Sequence, residues 1–228
     1  MKIIVFLPCR KGSQRVPKKN IKPFASFEHG LIEIKLKQLL GASKIDKIIL
    51  STNDEEIIAY AKSINADKLE IHQREESLAG NTTSTDDLVA HALELIPEGI
   101  ILWTHVTSPF LDSQAYDTMI DTYFEVLNKG YDSLMSTSLI HGFLWNDEGP
   151  VNYDRSVEKW PRTQTITPLH EVNSAVFLNS VENYKNFNDR IGEKPYLYTL
   201  GKIESFDIDW EEDFKIGKCI LESGIVTL

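Results

Sequence analysis

Cysteine is nearly absent from this chain of 228 residues, which contains only Cys9 and Cys219. Two cysteines are too few for a disulfide framework, so we expect a reducing, cytoplasmic environment. Long apolar runs are also missing, and none approaches the roughly 20 residues that span a bilayer. The N-terminus has one lysine before a short apolar run and no small-residue cleavage site, which indicates a strand and not a signal peptide. The sequence therefore predicts no membrane partner.

Basic residues are in the minority, with 24 against 34 acidic residues and a net charge of -10. This balance argues against a nucleic-acid partner, because phosphate backbones are bound by broad basic patches. The apolar share of 42% and the charged share of 25% are ordinary for a globular protein. A chain of this length can bury a large core, so we expect a single domain over residues 1–228.

Acidic residues are missing altogether from residues 1–25, which hold seven bases: Lys2, Arg10, Lys11, Arg15, Lys18, Lys19 and Lys22. Most of them follow the apolar run 3–7, which we expect to be a buried strand. Open α/β sheets bind ligands beyond the carboxyl ends of such strands. A cationic loop at that position on an anionic protein indicates a binding site for a triphosphate, although a solvated surface turn is the alternative.

The loop 9–20 is neither a P-loop nor a dinucleotide-binding turn, since it lacks the glycine spacing of both. Phosphates would therefore be held mostly by side chains. Gly12 would let the backbone approach a ligand closely, and the Ser13 hydroxyl would donate a hydrogen bond.

The first half of the chain alternates between strand and helix patterns, which predicts parallel βαβ units. Expected strands are 3–7, 47–51, 68–72 and 100–103, and expected helices are 31–40, 55–63, 85–96 and 112–128. Later strands are expected near 174–178, 196–200 and 207–209, and a last helix over 211–222. Residues 140–172 show no clear period and contain Trp145, Trp160 and several Gly and Pro residues.

Asp207 and Asp209 flank Ile208, so in an extended strand both carboxylates would point to one face. Two carboxylates on one face suit Mg²⁺, which binds oxygen ligands. The alternative is that Asp209 caps the last helix, with Glu212 completing a capping box. Spacing alone leaves both readings open.

The loop Arg10-x-Gly12-Ser13-x-Arg15-x-Pro17-x-Lys19-Asn20 resembles the signature of the acylneuraminate cytidylyltransferases, the CMP-sialic acid synthetases, which are related to the CMP-Kdo synthetases. Further segments match in the same order: Ser51–Glu56, Arg74 with Leu78-Ala79, Thr107-Ser108-Pro109, Asn173–Phe177 and Ser205–Asp209. The resemblance implies an α/β, three-layer Rossmann-like nucleotidyltransferase fold with a mostly parallel central sheet. It also implies that residues 140–172 form a dimerisation arm, and hence a homodimer, with a mobile surface lid as the alternative for this extension.

The resemblance further implies an enzyme that transfers CMP from CTP to an acidic 2-keto sugar, a nonulosonate such as a sialic, legionaminic or pseudaminic acid, with release of pyrophosphate. By position, the catalytic residues would be Arg10, Lys19, Asp207 and Asp209, the two aspartates binding Mg²⁺ or Mn²⁺. Nucleotide contacts would come from Arg10, Gly12, Ser13, Arg15, Lys19, Asn20, Arg74 and Thr85. Acceptor contacts would come from His105, Thr107, Ser108, Arg162 and Asn173. Cys9 has no evident His partner, so we do not expect a nucleophile there.

The departures from the family pattern fall mainly on the acceptor side. The positions concerned are Gln14, His105, Leu111 and Glu171, together with the absence of a basic residue near Leu144 or Trp145. A different acceptor, such as a Kdo-like or another acid, is therefore an alternative. A non-catalytic nucleotide-binding protein is a further one, and the retention of Lys19 and both aspartates argues against it.

Overall fold

A computed structural model describes residues 1–80 and 82–226 of the chain. Its main strands are β1 (Ile3–Cys9), β2 (Lys47–Thr52), β3 (Leu69–Gln73), β4 (Ile100–Thr104), β5 (Ser133–Ile140), β6 (Trp145–Asn146), β7 (Gly149–Pro150), β8 (Leu169–Ser180) and β9 (Pro195–Thr199). The α-helices are α1 (Gly30–Gly41), α2 (Glu55–Ile64), α3 (Thr85–Leu95), α4 (Ser113–Leu127), α5 (Val181–Phe187) and α6 (Glu211–Glu222).

Seven strands form one sheet in the order β3-β2-β1-β4-β8-β5-β9. The first four are parallel neighbours, as the βαβ pattern predicts, and β5 and β9 also run parallel. Strand β8 is antiparallel to both of its neighbours, β4 and β5. The sheet is therefore mostly parallel, with one reversed strand, β8, between β4 and β5.

Side chains alternate along each strand, so the strands of this sheet present apolar residues on both faces, and helices cover both. In β1, Ile3, Val5 and Leu7 belong to a core that includes residues of α1, α2, α4 and α6. Ile4 and Phe6 point the other way, into a second core with residues of α3 and α5. The result is the expected three-layer α/β architecture. None of the described helices has the length and apolarity to cross a membrane.

Several expectations needed correction. The sequence analysis did not predict strand β5, the hairpin β6–β7 or helix α5. Strand β8 begins at Leu169, inside the segment 140–172 that was expected to be an extension. Residues 207–209 are irregular and do not form a strand. The Ile208 N–H nonetheless donates to the carbonyl of Thr107 at 2.9 Å, which fixes the segment beside the end of β4.

The topology gathers the segments that follow β1, β2 and β4 at one edge, because these strands are parallel. Strand β8 enters the same edge through a bulge, since residues 173–176 lie opposite the single residue Ser136 of β5. Ser174, within this bulge, has the left-handed backbone φ of 58° that few non-glycine residues adopt.

Candidate active site

A cavity of about 520 Å³ opens at this edge of the sheet. Eight of the residues expected at the site line it: Arg10, Ser13, Arg15, Lys19, Asn20, Arg74, His105 and Thr107. They come from the loop after β1, the end of β3 and the segment after β4. The fold therefore brings together six of the eight residues expected to contact the nucleotide and two of those expected to contact the acceptor, although they are far apart in sequence.

The loop after β1 is anchored by the end of β2. The Lys11 backbone N–H donates to Asn53 Oδ1 at 2.8 Å, and the amide of Asn53 donates to the Glu76 carboxylate. Asp54 caps α2 by accepting from the Glu56 N–H at 3.0 Å. Gly12 has φ 82°, and an added Cβ would meet nothing within 4 Å, so glycine is needed there for its backbone conformation.

The basic residues of the loop divide into two groups. Lys11 and Lys18 are exposed and pair with Glu55 and Glu56 of α2, outside the cavity lining. For these two, the interpretation as solvated surface charge is correct. Lys19 is 8% exposed and lines the cavity together with Arg15.

Asp209 receives both of the inner cations. Its Oδ1 accepts from Arg15 Nη2 at 2.7 Å and from Lys19 Nζ at 3.2 Å, and Lys19 Nζ also donates to the Ile208 carbonyl at 2.7 Å. The Arg15 guanidinium in addition lies 4.9 Å from the ring centroid of Trp210. The first loop and the segment 207–209 are thus joined across about 190 residues of sequence.

The capping interpretation of Asp209 does not hold. Asp213 accepts the backbone N–H groups of Asp209 and Trp210, at 3.0 and 2.8 Å, so Asp213 and not Glu212 serves the start of α6. The carboxylate of Asp209 does not cap α6 and instead accepts hydrogen bonds from Arg15 and Lys19. Asp207 accepts from the Thr107 side chain, and burial raises the pKa of its carboxyl while the Thr107 hydrogen bond opposes that rise.

Unsatisfied polar atoms mark the other part of the cavity. Arg74 is 4% exposed, and its Nε and Nη2 find no hydrogen-bond partner among the described residues. Asn20 donates to the Arg10 carbonyl at 3.1 Å, but its own Oδ1 also lacks a partner there. Buried donors and acceptors are almost always paired, so these atoms indicate a ligand or water at this position. Burial raises the pKa of Cys9 to about 12, which keeps its thiol protonated, as expected for a residue that is not a nucleophile.

His105 is held in one tautomer by its neighbours. The Trp103 indole N–H, which can only donate, reaches His105 Nε2 at 3.0 Å, so Nδ1 carries the proton and donates to the Ser174 carbonyl at 2.9 Å. Burial lowers the pKa of His105 to about 4. The ring is therefore neutral near pH 7, and both nitrogens are occupied, which leaves its carbon edge for contact in the cavity.

The remaining expected site residues lie outside the cavity lining: Gly12 and Thr85 of the nucleotide side, Ser108, Arg162 and Asn173 of the acceptor side, and the carboxylates Asp207 and Asp209. Asn173 fixes the bulge of β8, since its Oδ1 accepts from Ser136 and its Nδ2 donates to Ser138. Arg162 is exposed in the segment between β7 and β8. Thr85 occupies the first position of α3, whereas Thr83 is the hydroxyl residue that lines the cavity. Ser108 is buried.

Comparison with known proteins agrees with this geometry. The family model for cytidylyltransferases matches residues 4–215. The chain belongs to the cytidylyltransferase family. It is thus a nucleotidyltransferase, as the loop motif predicts.

Two curated relatives of this cytidylyltransferase are similar over nearly its whole length. It is 24% identical to the pseudaminic acid cytidylyltransferase of Campylobacter jejuni over 96% of each chain. It is 27% identical to the N-acylneuraminate cytidylyltransferase of Escherichia coli over 94% of this chain, which spans only 51% of that protein.

A solved structure of CMP:2-keto-3-deoxy-manno-octonic acid synthetase complexed with CTP has the same fold, with a TM-score of 0.66, 12% identity and coverage of 98% and 100%. The 4-diphosphocytidyl-2C-methyl-D-erythritol synthase of Anaerococcus prevotii also has this fold, with a TM-score of 0.67, 15% identity and coverage of 97% and 96%.

A buried lysine that sequence reasoning missed supports the site from behind. Lys35 of α1 is fully buried, and its Nζ donates to the Ser108 carbonyl at 2.7 Å and to the Tyr116 hydroxyl. Gln38, one turn later, donates to the Pro109 carbonyl at 2.6 Å. These two bonds fix the segment that carries Thr107. Burial lowers the pKa of Lys35 to about 7, with the charge of Asp207 opposing the shift.

We predict that Lys35 makes the free energy of unfolding rise with pH. Its pKa is about 7 in the folded protein and ordinary in the unfolded chain, so between these values the unfolded state binds more protons. Stability should increase by up to about 1.4 kcal/mol per pH unit in this window, and Lys35→Met should lack that component.

Urea unfolding followed by circular dichroism at pH 7.5, 8.5 and 9.5 measures the effect. Lys37→Met is the matched control, because Lys37 lies on the same helix with an exposed ammonium. Wild-type and Lys35→Met stabilities that change in parallel with pH would contradict the prediction.

Proposed function

We propose that this cytidylyltransferase transfers CMP from CTP to an acidic 2-keto sugar of the nonulosonate class and releases pyrophosphate. The observation that carries the proposal is the cavity lined by Arg10, Arg15 and Lys19 of the first loop. The Lys19 ammonium is hydrogen-bonded there to Asp209 and to the Ile208 carbonyl. The two relatives named for nonulosonate substrates support the choice of acceptor.

The nucleotide would occupy the cavity between the loop 10–20 and Arg74. The cationic side chains of Arg10, Arg15 and Lys19 suit a triphosphate, since charge-assisted bonds to phosphate oxygens are strong. The unpaired Nε and Nη2 of Arg74 and the unpaired Oδ1 of Asn20 offer donors and an acceptor to the base or ribose. A polar, hydrogen-bonding ligand fits these buried atoms better than an apolar one.

The residues present also fit a divalent cation. Among the described residues no three His, Cys, Asp or Glu side chains form a metal-binding group. Two carboxylates nevertheless suit Mg²⁺, which commonly keeps several waters and is shared with substrate phosphates. Burial already disfavours the charge of Asp207, so a nearby cation would stabilise its ionised form. Asp207 and Asp209 would hold Mg²⁺ or Mn²⁺, which supplies charge neutralisation and acidifies a bound hydroxyl.

In this reaction the protein would position the two substrates and stabilise the negative charge that develops on the phosphate oxygens. A hydroxyl of the acceptor would attack the α-phosphorus while pyrophosphate leaves in line. Arg10 and Lys19 would bind the phosphate oxygens where negative charge develops, and Thr107 would orient the carboxylate of Asp207 through its hydroxyl. The neutral His105, with a hydrogen bond at each ring nitrogen, would contact the acceptor without exchanging a proton.

We further propose a cytoplasmic homodimer of single-domain chains, with residues 140–172 as the contact. This segment presents Trp145 and Trp160 at 50% and 63% exposure, and the Arg155 guanidinium lies 5.3 and 5.2 Å from their ring centroids. Exposed aromatic side chains next to an arginine are typical of protein interfaces.

For activity, we expect pyrophosphate release with CTP plus pseudaminic acid or N-acetylneuraminate, and little with UTP, ATP or GTP. A coupled assay against these acids and 2-keto-3-deoxy-manno-octonic acid measures it. EDTA should abolish turnover, and Mg²⁺ or Mn²⁺ should restore it. Release that is equal with a purine nucleotide, or absent with every acid, would overturn the proposed function.

For assembly, we expect light scattering at micromolar concentration to give twice the mass of one chain. Trp160→Ser should shift the protein towards monomer by removing an exposed apolar contact. Trp210→Ser is the matched control, because Trp210 is similarly exposed but lies at the start of α6. A monomeric wild-type protein would rule out the proposed dimer.

A further inference from the structure

Lys35 of α1 is a buried basic residue to which the proposed chemistry gives no role. Its side chain is fully buried, and its Nζ donates to two uncharged oxygens, the Ser108 carbonyl at 2.7 Å and the Tyr116 hydroxyl. A lysine bonded only to neutral groups is costly to bury, because its ammonium loses water that these acceptors replace only in part. An apolar side chain would fill this position of the helix at lower cost, so the nitrogen needs a reason other than packing.

The direction of the hydrogen bonds around Lys35 is fixed by its neighbours. Thr104 Oγ1 donates to the Ala175 carbonyl at 2.7 Å, so its single proton is used and it accepts from the Tyr116 hydroxyl at 3.0 Å. The Tyr116 proton is then used as well, and its oxygen can only accept from Lys35. The Ser108 carbonyl is also an acceptor only. The position therefore requires two donations from one side chain, which a hydroxyl or an apolar group cannot make.

The Ser108 bond leads from Lys35 to the cavity-lining Lys19 along one hydrogen-bonded path. The residue before Ser108 is Thr107, whose carbonyl accepts from the Ile208 N–H at 2.9 Å. The carbonyl of Ile208 in turn accepts from Lys19 Nζ at 2.7 Å. Peptide units are planar and rigid, so along this path only the Cα atoms of Ser108 and Ile208 separate one hydrogen-bonded peptide unit from the next.

The two segments on this path have no regular structure of their own. Residues 105–112 and 207–209 belong to no helix or strand, so individual hydrogen bonds decide where they lie. Helix α1 holds the first segment at two successive carbonyls, since Lys35 donates to Ser108 and Gln38 donates to Pro109 at 2.6 Å. The second segment is held to the first through the buried Ile208. Helix α1 thus positions both segments, and Lys35 makes the contact nearer to the site.

We propose that Lys35 is a positioning residue for the reaction, which acts on the ammonium of Lys19 through the Ser108 carbonyl and Ile208. The inference rests on the proposed function, in which Lys19 binds phosphate oxygens where negative charge develops. Lys35 is fully buried and lies outside the cavity lining, so it would touch neither substrate. Without it the Ile208 carbonyl would move, while Asp209 would still attract Lys19. CTP would therefore still bind, but the ammonium would no longer be oriented for the transition state.

The test compares wild type, Lys35→Met and Lys35→Gln in the pyrophosphate assay with CTP and the acids named above. Lys35→Met removes the donors and should fold, because apolar side chains in place of buried charges are often tolerated. Lys35→Gln keeps a polar end, but its amide nitrogen is one bond closer to the backbone. Both should lower kcat about 10- to 100-fold, since misplacing a catalytic group by about 1 Å can cost that much. The KM for CTP should change little, as expected when a transition-state interaction is lost.

Tyr116→Phe is the matched control, because it removes the other acceptor of Lys35 and leaves the Ser108 bond in place. It should lower the free energy of unfolding, as the loss of a buried hydrogen bond does, and keep kcat near the wild-type value. Two further readouts separate positioning from general stability. In a double-mutant cycle, Lys35→Met should add little to the loss caused by Lys19→Met. In the free protein, the Ile208 amide should exchange its hydrogen faster in both Lys35 variants and not in Tyr116→Phe.

The inference alone would be overturned by a wild-type kcat in both Lys35 variants, by an equal fall in kcat in Tyr116→Phe, or by additive effects in the cycle. Unchanged exchange of the Ile208 amide in the Lys35 variants would also overturn it, and this measurement needs no substrate. Wild-type protein inactive with every acid would overturn the proposed function and this inference together.

Discussion

The site depends on one interaction, the binding of Arg15 and Lys19 to Asp209. It connects the loop after the first strand to a segment close to the last helix, and both segments are irregular. Neither has a strand ladder to hold it. Lys19 is nearly buried and also bonds to the Ile208 carbonyl, so its ammonium is fixed by two acceptors before any ligand arrives. Such preorganisation is what charge stabilisation in an active site requires, because groups that are already oriented need not reorganise during the reaction.

The surrounding fold supplies the frame for this contact. Parallel β1, β2 and β4 end at one edge, and Asn53 and Lys35 fix the segments that leave β1 and β4 there. The reversed strand β8 contributes differently, since its bulge is held by Ser136 and Asn173 and presents the Ser174 carbonyl to His105. The residues that we propose for the nucleotide thus follow strands of the parallel half of the sheet, while those proposed for the acceptor include His105 and Asn173, where the strand direction reverses. This division fits a chain that keeps the nucleotide motif of its family and departs from it on the acceptor side.

Much of this arrangement could be predicted from the sequence. Strands β1 to β4 and helices α1 to α4 have the apolar periods expected of buried elements, and the loop motif located the cavity. Strand β5 was missed because four of its eight residues are Ser or Thr, so its pattern is weak. The prediction of a strand at 207–209 was wrong. Ile208 is buried there because it packs into the core and its N–H donates to the Thr107 carbonyl, and not because the segment pairs in the sheet. Lys35 could not be found from local patterns, since its partners Ser108 and Tyr116 are brought to it only by the tertiary fold.

The Asp209 carboxylate joins two segments of the site, and we propose that its charge also serves the reaction, which Asp209→Asn tests directly. The substitution keeps the shape of the side chain, and the cap of α6 is served by Asp213. We predict that turnover falls by roughly 10²–10³ while the unfolding midpoint and CTP binding change little. The matched variant Asp213→Asn should instead lower stability modestly and spare most of the activity. Near-normal turnover of Asp209→Asn with an unchanged Mg²⁺ dependence would contradict the account.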